Sequence, residues 1–283
     1  MIELKNVCKQ YKKTTALKNL NLTIEQPGIY CLLGKNGAGK TTLLKAIAGY
    51  HNITEGFISV DKMKITTASL NSSVTYVENF AKHFNFSIVK LLHLTSKIQP
   101  DFDYEFALKM MHRFELDEKK KFKQLSLGMK TMVCTIICLC SNKKVILLDE
   151  PVLGLDVFMR AQFYELLQES FAKHPRIIII STHLVEEIAK SIQNLIILNE
   201  GKICFYGTLQ LIESKAYRVS GLQKEVKEIT KDLMQLGQEQ VGGFVNVYIF
   251  DTPPKMTSQI EVQPLSLQDF FIWMIHHQGG QHQ

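Results

Sequence analysis

The segment from residue 28 to residue 48 constrains the fold more than any other part of this 283-residue chain. A short apolar run, Gly28–Leu33, is followed by a glycine-rich stretch and then by apolar residues at helical spacing. The stretch between them, GKNGAGKT, fits the pattern G-x-x-x-x-G-K-[ST]. When such a loop connects a strand to a helix, its backbone N–H groups lie at the N-terminus of the helix, where they bind phosphate. The sequence therefore predicts a phosphate-binding loop in an α/β fold.

The residues of this loop have separate expected roles. Lys40 is expected to place positive charge on the phosphates, and Thr41 to offer its hydroxyl to a Mg²⁺ ion. The glycines allow the backbone to approach the phosphate closely. The alternative is a chance glycine-rich turn, which the strand before and the helix after disfavour. The candidate nucleotide-binding residues of the loop are Gly34, Asn36, Gly37, Ala38, Gly39, Lys40, Thr41 and Thr42.

A second apolar run, residues 145–148, ends in two acidic residues, Asp149 and Glu150. Such a strand end would place Asp149 beside a Mg²⁺ ion held by the phosphate loop. Glu150 would polarise an attacking water, and general-base assistance of this kind is worth about 10²–10⁴-fold. An acidic pair alone suits an ordinary exposed strand end equally well. Together with the phosphate loop, it favours hydrolysis of a nucleoside triphosphate.

Further motifs make the chain resemble the nucleotide-binding subunit of an ATP-binding cassette (ABC) transporter. Residues 125–129, LSLGM, lie where that family has its LSGGQ signature, and residues 151–156, PVLGLD, resemble its D-loop. Residues 180–183, ISTH, resemble the strand that ends in the family's switch histidine. Tyr11 occupies the position of an aromatic residue that stacks on adenine. The resemblance covers about residues 1–217, and the motifs occur in the family's order.

The resemblance implies a head-to-tail dimer that holds two ATP molecules between its subunits. Ser126, Gly128 and Asp156 would then act at the dimer interface, and His183 would contact the γ-phosphate beside the catalytic Glu150. ATP and Mg²⁺ are the implied cofactors. The implied partners are a second ATPase subunit, identical or related, and a separate permease that holds the chain at the cytoplasmic face of the membrane.

Two departures from the family pattern are present. Glu78 stands about where the family has its Q-loop glutamine, and a carboxylate accepts hydrogen bonds but does not donate them. Because a carboxylate can bind Mg²⁺, Glu78 joins Thr41 and Asp149 as a candidate metal ligand. The signature has Leu127 for glycine and Met129 for glutamine, as in single-domain ATPases of exporters, including peptide and antimicrobial efflux systems. Export is therefore the expected direction of transport.

The expected fold class is α/β: a P-loop NTPase core of the ABC ATPase type, with a mixed sheet flanked by helices. A helical subdomain is expected at about residues 80–142, and in the family this region forms a groove for the permease. The aromatic residues expected there are Phe80, Phe84, Phe86 and Phe102. The ATPase domain is expected to span residues 1–217, and residues 218–283 to form a small α+β appendage. In the appendage, we expect helices over 222–236 and 267–275, a strand over 245–250 and a frayed tail.

Several classes of protein are disfavoured by composition. The chain has no apolar run of 18 residues, which predicts no membrane span, and its N-terminus does not resemble a signal peptide. Its six cysteines are scattered without the spacing of a disulfide framework or zinc site. The net charge is +6, with the excess in residues 1–217. Bound ATP and an anionic membrane surface account for that excess, so we expect no nucleic-acid partner.

Two other functions stay open at this point. One is a soluble ABC ATPase that acts without a permease, for which two cassettes in one chain or a long coiled-coil insert would be usual. The other is a catalytically weak regulatory cassette, suggested by Glu78 and Met129.

Overall fold

The structure, a computed structural model, describes residues 1–67, 72–78, 85–257 and 259–279. Its strands, in chain order, are β1 (Ile2–Tyr11), β2 (Thr14–Ile24), β3 (Gly28–Leu33), β4 (Glu55–Val60), β5 (Met63–Lys64), β6 (Val74–Glu78), β7 (Val145–Asp149), β8 (Ile177–Ser181), β9 (Asn194–Asn199), β10 (Lys202–Thr208), β11 (Ala216–Leu222), β12 (Gln235–Val241), β13 (Phe244–Phe250) and β14 (Ile260–Pro264). Its helices are α1 (Lys40–Ile47), α2 (Ile88–Ile98), α3 (Tyr104–Arg113), α4 (Leu127–Leu139), α5 (Val157–Lys173), α6 (Val185–Ala189), α7 (Leu209–Lys215), α8 (Gln223–Thr230) and α9 (Leu267–Gly279).

The central sheet has the strand order β10-β9-β3-β8-β7-β6, and its strands are parallel except for β10. Alternate residues of each strand enter two different cores. On β3, Ile29 and Cys31 face the core formed with helices α2 to α5, while Tyr30 and Leu32 face the core formed with α1. Burial on both faces explains why these strands are continuous apolar runs.

The second sheet is antiparallel, with the order β2-β1-β4-β5, and together with α1 it covers one face of the central sheet. The parallel register brings the carboxyl ends of the central strands to a common edge. Asp149 at the end of β7 pairs with Ser181 at the end of β8, and Ser181 also pairs with Leu32 of β3. Side chains that follow these strands therefore meet at one edge, where ligands bind in open α/β sheets.

The helical stretch predicted between residues 87 and 113 forms two helices, α2 and α3. Ser87 and Asp103 cap their N-termini, as predicted, by accepting hydrogen bonds from the N–H groups of Lys90 and Phe106. Phe102 is buried in the core, whereas Phe86 is 40% exposed. The predicted aromatic residues Phe80 and Phe84 lie outside the described residues.

The third sheet, β12-β13-β11-β14, is antiparallel and belongs to the C-terminal region. The prediction of one helix over residues 222–236 was wrong. Helix α8 ends at Thr230, and β12 begins at Gln235 and pairs with β13. At Gly237 an added Cβ would lie 2.4 Å from the ring of Trp273, so this glycine permits the close approach of α9. The segment that forms β12 has a helical sequence pattern, but its pairing with β13 and its packing against α9 override that local preference.

Helix α9 joins the appendage to the ATPase core. Phe270 is fully buried in the core that also contains Val185 and Ile188 of α6, and its ring contacts those of Phe205 and Phe250. The tail predicted to be frayed is helical as far as Gly279. Strand β11 crosses the predicted boundary at 217/218, and we propose that the appendage begins at its first residue, Ala216.

Candidate functional site

The phosphate loop lies between β3 and α1, and its glycines are required by the backbone. Gly37 and Gly39 have φ values of 81° and 109°, which residues with a Cβ atom rarely adopt. A Cβ on Gly34 would lie 2.4 Å from the carbonyl oxygen of Leu198, and one on Gly39 would lie 2.6 Å from that of Ala16. Gly39 caps α1 without a side-chain hydrogen bond. The first N–H groups of the helix are therefore left for an anion.

A cavity of about 270 Å³ lies over this loop and brings the predicted loop residues, except Gly34, together with both acidic residues. Its lining residues are Ala16, Asn36, Gly37, Ala38, Gly39, Lys40, Thr41, Thr42, Asp149 and Glu150. The ammonium of Lys40 donates a 2.7 Å hydrogen bond to the carbonyl oxygen of Gly34, and the side chain is largely buried. Ala16, on β2, is a site residue that the sequence did not reveal, because a lone alanine carries no motif.

Asp149 is held by hydroxyl groups from the strands on both sides of β7. The hydroxyl of Ser181 donates to its Oδ1, and the hydroxyl of Tyr76 lies 3.2 Å from its Oδ2. Burial, and then the carboxylates of Asp149 and Glu78, raise the pKa of Tyr76 above its usual value, so the phenol keeps its proton. The sequence did not identify Ser181 or Tyr76, since only the strand register places them beside Asp149.

Glu150 has left-handed backbone geometry, with φ at 48°, which costs about 1–3 kcal/mol for a residue with a side chain. Its N–H donates to the carbonyl and hydroxyl oxygens of Ser181, at 3.1 and 3.0 Å, and these bonds hold the turn. Its Oε2 lies 2.9 Å from Nδ1 of His183. The two residues predicted to be catalytic are therefore in direct contact, although only Glu150 lines the cavity.

Glu78 is not among the lining residues of the phosphate cavity. Its Oε2 lies 2.6 Å from the ammonium of Lys45 on α1 and 3.1 Å from the hydroxyl oxygen of Tyr76. Glu78 instead lines a second cavity, of about 240 Å³, between β6 and helices α2 and α4.

The signature residues lie at the start of α4, beside the D-loop. Ser126 caps α4 by accepting a 3.2 Å hydrogen bond from the N–H of Met129. Gly128 is buried against the D-loop, where an added Cβ would lie 3.3 Å from the carbonyl oxygen of Gly154. Asp156 caps α5 by accepting a 2.8 Å hydrogen bond from the N–H of Met159. None of the three predicted interface residues lines the phosphate cavity of the same chain.

Tyr11 does not line the phosphate cavity either. Its hydroxyl lies 2.6 Å from Nδ1 of His51, and the two rings meet edge to face. The ammonium of Lys9 lies 4.7 Å from the centre of the Tyr11 ring. The pKa of His51 is lowered by burial first and then by the charges of Lys45 and Lys9, which favours the neutral imidazole.

The described part of the chain contains no group of three or more His, Cys, Asp or Glu residues that could hold a metal ion by themselves. Burial raises the pKa of the Cys138 thiol to about 12, which disfavours a thiolate ligand. The phosphate cavity, by contrast, joins a threonine hydroxyl, a carboxylate and a lysine around a helix N-terminus. This set fits Mg²⁺ bound together with nucleotide phosphates, because Mg²⁺ takes few protein ligands in such sites.

No helix within the described ranges has both the length and the apolar character needed to cross a membrane.

Comparison with known proteins identifies the family. A model of the ABC transporter family matches residues 17–153. The ABC transporter ATP-binding protein YtrB of Bacillus subtilis (strain 168) is 26% identical over 286 residues, which cover 96% of this chain and 97% of YtrB. The lantibiotic transport ATP-binding protein SrtF of Streptococcus pyogenes is 30% identical, with coverage of 72% of this chain and 89% of SrtF.

Other relatives have different cargo. The phosphonates import ATP-binding protein PhnC 1 of Halalkalibacterium halodurans is 30% identical, over 77% of this chain and 93% of PhnC 1. Among solved structures, a dimeric bacterial ABC transporter cassette superposes with a TM-score of 0.64 at 25% identity, over 74% of this chain and 99% of that one. The predicted fold class is confirmed by this likeness. Similarity across nearly the whole of SrtF, together with the shared fold, shows that this chain belongs to the ATP-binding subunits of ABC transporters.

Proposed function

We propose that this chain binds Mg-ATP in the phosphate cavity, hydrolyses it to ADP and phosphate, and powers a separate membrane permease. The observation that best supports hydrolysis is the meeting of Lys40, Asp149 and Glu150 in one cavity, with His183 in contact with Glu150. ATP hydrolysis is the general activity of ABC ATPases. Its coupling to transport by this chain is our inference.

Different residues of the cavity would bind the phosphates, hold the metal ion and accept the proton. Loop N–H groups and the ammonium of Lys40 bind the phosphates, with Lys40 exchanging the Gly34 carbonyl for a phosphate oxygen. Thr41 and Asp149 would hold Mg²⁺, which when bound offsets negative charge on the phosphates. Glu150 accepts a proton from the attacking water, and His183 orients the carboxylate of Glu150 through Nδ1. Asn36 and Thr42 complete the walls of the cavity.

We also propose that two ATPase subunits, identical or related, close over ATP head to tail, with Ser126, Gly128 and Asp156 at the interface. Support comes from the surface around the signature and the D-loop. Leu127 and Leu153 are 52% and 49% exposed, and Val157 and Phe158 are 73% and 72% exposed. An exposed apolar cluster of this kind favours contact with a partner. The γ-phosphate of ATP bound to the opposite subunit would complete this interface, and hydrolysis of that ATP would weaken the contact.

Export of peptides or antimicrobial compounds is the finer proposal, supported by the similarity to SrtF and by the LSLGM signature. The similarity to PhnC 1 makes import its competitor. The chain would lie at the cytoplasmic face of the membrane, bound to its permease. Tyr11 would stack on adenine only after its hydrogen bond with His51 is broken.

Three measurements test the proposal. Purified protein should release phosphate from ATP only when Mg²⁺ is present, and protein isolated from cells should copurify with a hydrophobic subunit in the membrane fraction. Reconstitution of that complex in vesicles, with ATP on one side, gives the direction: cargo leaving the ATP side supports export. Purification of the chain with nucleic acid and without a membrane partner would contradict the transport function.

A further inference from the structure

Two carboxylates face each other next to the phosphate cavity. Glu78 on β6 pairs in register with Asp149 on β7, and paired residues of parallel strands project to the same face of the sheet. Like charges directly opposite each other destabilise a sheet unless other groups compensate for them. The proposed hydrolysis accounts for Asp149 but leaves Glu78 and the groups around it without a role.

Tyr76 lies between the two carboxylates. It precedes Glu78 by two residues on the same strand, so both side chains project to the same face. Its hydroxyl oxygen lies 3.1 Å from Oε2 of Glu78 and 3.2 Å from Oδ2 of Asp149, and the residue is 9% exposed. A phenol has one proton, so Tyr76 donates fully to only one of these acceptors at a time.

Lys45 changes the competition for that proton. Its ammonium lies 2.6 Å from the same Oε2 of Glu78 that faces the phenol. The positive charge at this distance offsets the negative charge of Glu78, and its hydrogen bond to Oε2 is stronger than the one that a neutral phenol makes. Glu78 therefore attracts the phenolic proton less than it would alone, and Asp149 receives it.

Asp149 is thus fixed by two hydroxyls, with Tyr76 at Oδ2 and Ser181 at Oδ1. We propose that Tyr76 is a positioning residue for Asp149, and that Glu78, neutralised by Lys45, leaves the phenolic proton to Asp149 and is not a metal ligand. Such outer contacts orient a carboxylate before the metal arrives, and their loss typically weakens metal affinity by about 10–100-fold. The inference rests on the proposed binding of Mg²⁺ and nucleotide in this cavity.

The test is the binding of N-methylanthraniloyl-ADP to the full-length purified chain, followed by fluorescence, first in EDTA and then with increasing Mg²⁺. We expect Tyr76→Phe to raise by about tenfold the Mg²⁺ concentration that gives half of the maximal fluorescence change. Nucleotide affinity in EDTA should not change. Tyr50→Phe is the matched control, since it removes the hydroxyl of the half-exposed tyrosine whose ring contacts Tyr76. Ser181→Ala, which removes the second hydroxyl, should raise the Mg²⁺ requirement as well.

Glu78→Gln separates the two possible roles of Glu78. It removes a negative charge but leaves Tyr76 free to donate to Asp149, so we expect the Mg²⁺ requirement of the wild type. A requirement raised as far as in Tyr76→Phe would make Glu78 a metal ligand and overturn the proposal. The proposal would also be overturned if Tyr76→Phe bound nucleotide normally and needed no more Mg²⁺ than the wild type. Failure of the wild-type chain to bind nucleotide under any condition would instead contradict the proposed function itself.

Discussion

Nδ1 of His183 lies 2.9 Å from Oε2 of Glu150, although 32 residues separate them in the chain. The contact exists because β7 and β8 are adjacent parallel strands that end at the same edge. Glu150, the first residue after β7, therefore lies close to His183, the second residue after β8. It joins the base expected to activate water to the imidazole expected to contact the γ-phosphate. Both residues can therefore respond to the same phosphate group.

Replacing Glu150 by glutamine should leave nucleotide binding intact and lower the rate of ATP hydrolysis by about 100-fold or more, because an amide cannot accept the proton of the attacking water. ATP-bound dimer should accumulate, which light scattering during size-exclusion chromatography will detect. Glu186→Gln, at an exposed position on α6, is the matched control and should hydrolyse ATP like the wild type. Wild-type turnover by Glu150→Gln would remove Glu150 from the mechanism.

Lys40→Ala should abolish ATP binding, because the loop then loses its only buried ammonium among the described residues that line the phosphate cavity. Equilibrium binding of a fluorescent ATP analogue measures the effect. Lys64→Ala, on the exposed strand β5, changes the same residue type away from the cavity and should bind normally. Equal affinities for the two variants would contradict the placement of the phosphates.

Gly39→Ala should destabilise the fold by about 1–3 kcal/mol, since φ at this residue is 109° and the new Cβ would lie 2.6 Å from the carbonyl oxygen of Ala16. Nucleotide binding should be lost as the loop shifts. Urea unfolding, followed by circular dichroism, gives the free energy. Gly243→Ala is the control, because a Cβ there would meet no atom within 4 Å, and its unfolding free energy should match the wild type.

Phe270→Ala should lower the free energy of unfolding by about 3–5 kcal/mol, the usual cost of removing a buried aromatic ring. Phe244→Ala removes the same side chain from a position that is 58% exposed and should change stability little. One cooperative unfolding transition is expected for both proteins. A stable core after Phe270→Ala, with only the appendage unfolded, would show that α9 is dispensable to the core.

His51 should titrate below the ordinary histidine pKa of 6.5, because burial and the charges of Lys45 and Lys9 disfavour its protonated form. Neutral His51 accepts a hydrogen bond from the Tyr11 hydroxyl at Nδ1. A lowered pKa means that this contact stabilises the fold at neutral pH and is lost as the pH falls through the folded-state value. Proton NMR of the imidazole measures the titration, and Lys9→Met should move the pKa upward.

The sequence was sufficient for features with a local signal. Apolar runs located β3, β7 and β8, and the polar residues Ser87 and Asp103 located two helix starts. It was insufficient where contacts depend on register. Tyr76 and Ser181 meet Asp149 only because β6 and β8 flank β7. The sequence also did not reveal the ion pair of Glu78 with Lys45, because nothing in the segment around Glu78 points to a residue 33 positions earlier.

The buried position of α9 has a consequence for how the protein is made. The surface of α6 and β10 that receives Phe270, Met274 and Ile275 is encoded before residue 209, but its cover is encoded after residue 266. During synthesis the ATPase core therefore exposes an apolar surface until the end of the chain emerges. Because segments with exposed apolar surface aggregate readily, truncation within the last helix should reduce the yield of soluble protein.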